Sequence, residues 1–153
     1  MGFRSDNGAN GHDPVASSEL KRARFGAYFP RVFACAHSLT ADETAAREAA
    51  VEAFSHAFAG SDNLGEDEFA VVLFSAVRDQ CRGVRSFAVD NENLDRSERE
   101  LLALVFDARL NREVIRRVLQ TTEQAISSAL LAALRKVQAG MPSVAVDPSM
   151  QTA

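Results

Sequence analysis

The stretch that most limits what this chain can fold into is residues 94–137, LDRSERELLALVFDARLNREVIRRVLQTTEQAISSALLAALRKV. It reads as three short capped helices. Asp95-Arg-Ser-Glu98 is a capping box, in which an N-cap side chain and the residue three positions on satisfy each other's backbone N–H groups. Leu101, Leu104 and Val105 follow as an apolar stripe, and Asn111 is placed to cap a second helix carrying Ile115, Val118 and Leu119. Thr121-Thr-Glu-Gln124 is a capping signal for the third, whose Ile126, Leu130, Ala133, Leu134 and Val137 recur at spacings of three and four. Three helices so spaced predict a helix-turn-helix, with the outer face of the third helix free to meet a partner, nucleic acid first.

Upstream, the same patterning gives three longer helices. Residues 18–38 place Leu20, Phe25, Tyr28, Phe29, Val32, Phe33 and Ala36 as apolar positions, and Pro30 predicts a kink or a restart within the helix. Thr40-Ala-Asp-Glu43 predicts a capping box for a second helix with a broad stripe of Ala46, Ala49, Ala50, Ala53, Phe54, Ala57 and Phe58. The turn cluster Gly60-Ser-Asp-Asn-Leu-Gly65 then leads to a third stripe, Phe69, Val72, Leu73, Ala76, Val77 and Val84. No segment alternates like a strand. The expected fold is all-α, in two small helical domains. Residues 1–17 form a disordered lead-in, 18–86 the first domain, 87–93 an acidic linker that lets the halves move, 94–138 the helix-turn-helix and 139–153 a flexible tail.

The formal net charge of -4 argues against indiscriminate binding of polyanions, but the sign is uneven. Residues 94–138 hold eight Arg and Lys against six Asp and Glu, net +2, and the rest of the chain nine against fifteen. No apolar run is long enough for a membrane span, and no apolar stretch follows Arg4 as a secretory signal requires. Cys35 and Cys81 sit among apolar helical neighbours and read as buried free thiols in a reducing, cytoplasmic setting. Nothing supplies a nucleophile with an oxyanion site or a set of metal ligands, so the expectation is a binding protein with no cofactor, no metal and no catalysis.

Arg78, Arg82 and Arg85 follow at spacings of four and three, which aligns them on one side of a helix. That stripe suits a nucleic-acid backbone or an acidic partner, and equally an ordinary solvated face. Asp79 is spaced to pair with Arg82. Glu48 and Glu52, one turn apart, repel each other and favour a basic partner surface, or serve solubility.

Taken together, residues 22–138 resemble the two-domain bacterial sigma factors of the extracytoplasmic-function group. Leu39-Thr-Ala-Asp42, Ala46-Arg-Glu48 and Glu52-Ala-Phe54 resemble that family's leucine-threonine-glycine-aspartate turn and the acidic helix after it. Phe69-Ala-Val-Val-Leu-Phe74 with Val77-Arg78-Asp79 resembles the next helix, Val72 standing where a tryptophan is usual. Leu94, Arg99-Glu-Leu-Leu102, Leu110-Asn111, Glu113, Ile115, Leu119, Thr122, Ile126 and Ser128 match the pattern of the promoter-reading domain.

The resemblance implies that Asp42, Glu48, Glu52 and Phe54 dock on core RNA polymerase. Arg78, Asp79, Arg82 and Arg85 would hold promoter DNA near the melted region, and Thr122, Glu123, Ser127, Arg135 and Lys136 would face DNA on the last helix. It also admits an anti-sigma protein as partner, and implies neither a membrane nor a small-molecule substrate. The chain departs from the family where basic residues usually project, at Ser127, Ala129 and Ala132, and where a glycine precedes the last helix, at Gln120. Those departures keep open a sigma-like interaction module that binds polymerase or a regulator without reading DNA.

Overall fold

The computed structural model describes residues 14–60, 63–82 and 94–140. All elements among them are helical. In order they are α1 (Pro14–Thr40), α2 (Glu43–Phe58), α3 (Glu66–Arg82), α4 (Arg96–Leu102), a π-helical segment (Ala103–Asp107), α5 (Arg112–Leu119) and α6 (Glu123–Gly140).

Helix α1 begins at Pro14, so residues 14–17 belong to a helix rather than to a disordered lead-in. Proline suits a first helical turn, where its missing N–H has no intrahelical partner to serve. The helix then runs through Pro30 without restarting. The face it buries is also rotated from the expected one. Arg24, Tyr28, Val32, Cys35, Ala36 and Leu39 are buried, Phe29 and Phe33 are half-buried and Phe25 is exposed. The phenylalanines turn to α2, where the Phe25 and Phe54 rings lie 4.8 Å apart between centroids. The tyrosine turns to α3, with its ring 5.5 Å from that of Phe69.

The alanine stripe of α2 is buried as its spacing predicts, and so is Phe54. Its cap lies two residues later than expected. Asp42 accepts from the Thr44 N–H at 3.1 Å, while Thr40, 1% exposed at the end of α1, donates its hydroxyl back to the Ala36 carbonyl at 2.8 Å. Helix α3 buries Phe69, Leu73, Ala76 and Val77 as expected and adds Ala70, Phe74 and Cys81, while Val72 is half-buried. Val84 and the 87–93 linker lie outside the described residues.

In the second half the capping box at Asp95 and Glu98 forms with both of its bonds, at 2.9 and 3.0 Å. Asn111 caps α5 through the Val114 N–H at 2.9 Å. Thr122, one residue later than expected, caps α6 through the Ala125 N–H at 3.1 Å. Among the described residues three non-glycine positions have positive φ: Ala41 (55°) directly after α1, Arg109 (55°) two residues past the π-helical segment, and Gln120 (54°) at the end of α5. L-residues are strained there, at roughly 1–2 kcal/mol each. Helix α6 runs to Gly140 and buries Ile126 and Ala133; Leu130 and Val137 are half-buried, and Leu134 is 39% exposed rather than part of the core.

Buried side chains of both halves form one continuous cluster, from Val32 and Phe74 through Leu101 and Leu104 to Ile115 and Ile126. Helix α1 touches the π-helical segment, α3 touches α5, and α6 rests on α4 and α5. Among the described residues no helix is long and apolar enough to cross a membrane.

Candidate functional site

The charged side chains gather where the two halves meet. Arg78, half-buried on α3, donates Nε to Glu100 Oε2 at 2.8 Å and a terminal N–H to the Val118 carbonyl at 3.1 Å. Glu100, 4% exposed on α4, also receives Arg96 at 3.3 Å. A buried carboxylate is tolerated only where such donors replace lost water, and two guanidinium groups do so here. Beside it Glu98, also buried, joins its own capping bond to a 2.8 Å bond from Lys136 of α6. That bond holds the Lys136 ammonium above its ordinary pKa.

Two further ties bridge the halves. Arg31 donates to the Ala108 carbonyl at 2.6 Å and the Arg109 carbonyl at 3.3 Å, the carbonyls left at the end of the π-helical segment. Ser38 donates to the Asp107 carboxylate. Beneath them Cys35 and Cys81 are fully buried and free. Burial pushes the Cys81 thiol up to about 11 and raises Cys35 further still.

A cavity of about 430 Å³ opens beside this joint, with Arg78, Glu98 and Glu100 on one side and Leu119, Thr121 and Ala129 on the other. A second hollow, of about 720 Å³, lies between α2 and α3 and is lined by Glu52, His56, Val71, Val72 and Asp79 among others. Glu52 and Asp79 therefore face one groove, although they lie on different helices. No group of three or more His, Cys, Asp or Glu side chains among the described residues is arranged to hold a metal.

The residues singled out from sequence fall into three sets. Asp42, Glu48 and Glu52 are exposed on or beside α2, whereas Phe54 is 3% exposed and packed into the aromatic cluster beneath that surface. Arg78 is bound into the joint, whereas Arg82 is exposed with Asp79 at 3.6 Å. Arg85 lies outside the described residues. On α6, Thr122 is the cap, Glu123 and Arg135 are exposed, Ser127 accepts from Arg112 at 2.7 Å, and Lys136 is tied to Glu98.

The sequence alone does not single out Glu100 and Arg31, two side chains that help join the halves. The signal for Glu100 was its spacing: it stands one turn after Arg96 and one turn before Leu104, on the inner flank of its helix. Arg31 gave no such signal, because its acceptors are backbone carbonyls 77 and 78 residues away. No family model, curated protein or solved structure matches the chain.

Proposed function

We propose that this chain is a sigma factor of the two-domain extracytoplasmic-function type, which binds core RNA polymerase in the cytoplasm and directs it to promoters without a cofactor. The observation that carries this reading is the trio α4, α5 and α6. Each helix opens on a side-chain cap, and only Gln120, Thr121 and Thr122 separate α5 from α6. A turn of that length suits a helix-turn-helix, and the first turn of its last helix is the part that meets base edges. Thr122 and Glu123 are exposed at that turn, and Arg135 is exposed further along the helix.

The first half adds support. Ala41 holds a positive φ at the position where the family's turn carries glycine, the residue that takes this backbone without strain. Glu48 and Glu52 project from α2 and offer an acidic face to a basic partner surface on polymerase. Arg82, with Arg85 beyond it, is the stripe for DNA near the melted region. An anti-sigma protein would regulate the factor by covering these faces.

One observation favours a second reading, an interaction module that binds polymerase or a regulator without reading promoters. On α6, Ala129 and Ala132 are exposed where the family places basic residues, and Leu131 is 51% exposed beside them. An exposed apolar patch suits a protein partner better than a phosphate backbone.

Run-off transcription with core polymerase of the source organism, on a pool of that organism's promoter fragments, separates the two. The sigma reading expects promoter-specific transcripts that are lost in Arg82→Ala with Arg85→Ala. Binding to core with no transcript supports the interaction module, and failure of both eliminates the two readings together.

A further inference from the structure

Arg78 ties α3 to two helices of the other half, through Glu100 on α4 and the Val118 carbonyl on α5. Helix α1 makes its own ties to the same half. Arg31, Cys35 and Ser38 recur at spacings of four and three on α1, and the first and last of them bond the stretch Asp107–Arg109. Cys35 lies between them and is 0% exposed, so that stretch forms part of its cover. The charges felt by the two thiols agree with this placement: Asp107 and Glu100 act on Cys35, and Arg96 and Glu100 act on Cys81.

We propose that the Arg78–Glu100 pair is a latch that holds residues 14–82 against residues 94–140 in a closed form and keeps Arg78 from any outside anion. A guanidinium binds carboxylate and phosphate through the same planar fork, so one that is engaged by a buried carboxylate is withheld from a nucleic-acid backbone. Affinity for such a partner is then reduced by the fraction of molecules that are closed. The link to DNA rests on the sigma reading above; the latch itself does not.

The native thiols report the latch in the full chain. In the closed form Cys35 and Cys81 are covered and protonated, so iodoacetamide at neutral pH reacts slowly. Glu100→Gln keeps the shape of the side chain and removes its charge. Alkylation in this variant should quicken at least about tenfold, the scale of one weakened charge-assisted bond. Hydrogen exchange should quicken over residues 103–110 and stay slow in α2. Arg82→Ala, which removes a neighbouring exposed cation, should leave both rates at the native value.

Unchanged alkylation in Glu100→Gln overturns the proposal. So does equal loss of protection in α2, which would make the pair a general support of the fold, and so does equal acceleration by Arg82→Ala. Run-off transcription is read separately: its failure alongside selective opening removes the promoter reading and leaves the latch in place.

Discussion

The two halves of this molecule are stabilised by different physics. The first, α1 to α3, is held mainly by ring and methyl contacts: Tyr28, Phe29, Phe33, Phe54, Phe58 and Phe69 form a run of neighbouring rings, small alanines on α2 allow its neighbours close approach, and the buried Arg24, bonded to Glu66 and the Leu64 carbonyl, adds one polar tie. The second, apart from α6, is built from helices of seven and eight residues, below the length at which a helix persists alone. Beside a small apolar core of Leu101, Leu104, Ile115 and Ile126, it depends on caps, on the buried carboxylates of Glu98 and Glu100, and on its contact with the first half. Apolar packing scarcely responds to pH or salt, whereas caps and ion pairs depend on geometry and charge. The second half should therefore open first.

The largest expected effect tests the aromatic side of that contrast. Phe69, 0% exposed, contacts the rings of Tyr28 and Phe58 and lies under the Arg24 guanidinium, 4.6 Å from its centroid. Phe69→Ala should cost about 3–5 kcal/mol in urea unfolding, as core phenylalanine truncations do. Both halves should lose protection together, since the second rests on the first. A second half that kept its native exchange rates in this variant would break the comparison.

Next is alkaline pH, which acts on the thiol at the end of α3. Burial raises Cys81 from 9.0 to about 11, so the folded state holds its proton more tightly than the unfolded state does. The resulting stabilisation is full below about pH 9 and lost as pH rises to about 11, a difference of roughly 2–3 kcal/mol at about 1.4 kcal/mol per unit. Urea titrations across that range should show stability falling in the native chain and falling less steeply in Cys81→Ala. Identical slopes would assign the loss to other groups.

The same contrast explains what could be read from the sequence. Periodicity located every described α-helix, because burial of a face leaves its mark every three or four residues; the alanine stripe of α2 is the clearest case. Caps were legible at Asp95 and Asn111, where the side chain bonds its own helix, and misplaced at Thr40 and Thr121, where tertiary burial or a one-residue shift chose between neighbouring candidates. Arg78 looked like a surface cation because its spacing from Arg82 is helical, yet its acceptors lie 22 and 40 residues away. No local pattern encodes a partner at that distance. The π-helical segment was invisible for a related reason: the Ala108 and Arg109 carbonyls just beyond it meet Arg31 only once the halves are packed.

Caps give a smaller and more local test. Asn111→Ala leaves the Val114 N–H without its acceptor and should cost about 1 kcal/mol. Amide exchange should quicken in α5 and α6 and remain native in α2. Quickening of α2 by the same factor would mean that the halves open as one unit, which would remove the distinction drawn between them.

The smallest effect comes from the backbone, and each half supplies one position. Ala41 ends α1 and Gln120 ends α5, both at positive φ, and their N–H groups bond the His37 and Arg116 carbonyls. Glycine removes the side-chain strain of that conformation but adds freedom to the unfolded chain, so each replacement should gain only about 0.5 kcal/mol net. For a chain of this length the melting temperature rises by roughly 1–2 °C. The exchange pattern is more telling than that rise. Ala41→Gly strengthens the half on which the other rests, and should slow the slowest amides of the whole molecule. Gln120→Gly strengthens the half that opens first, and should slow exchange in α5 and α6 while α2 keeps its native rate.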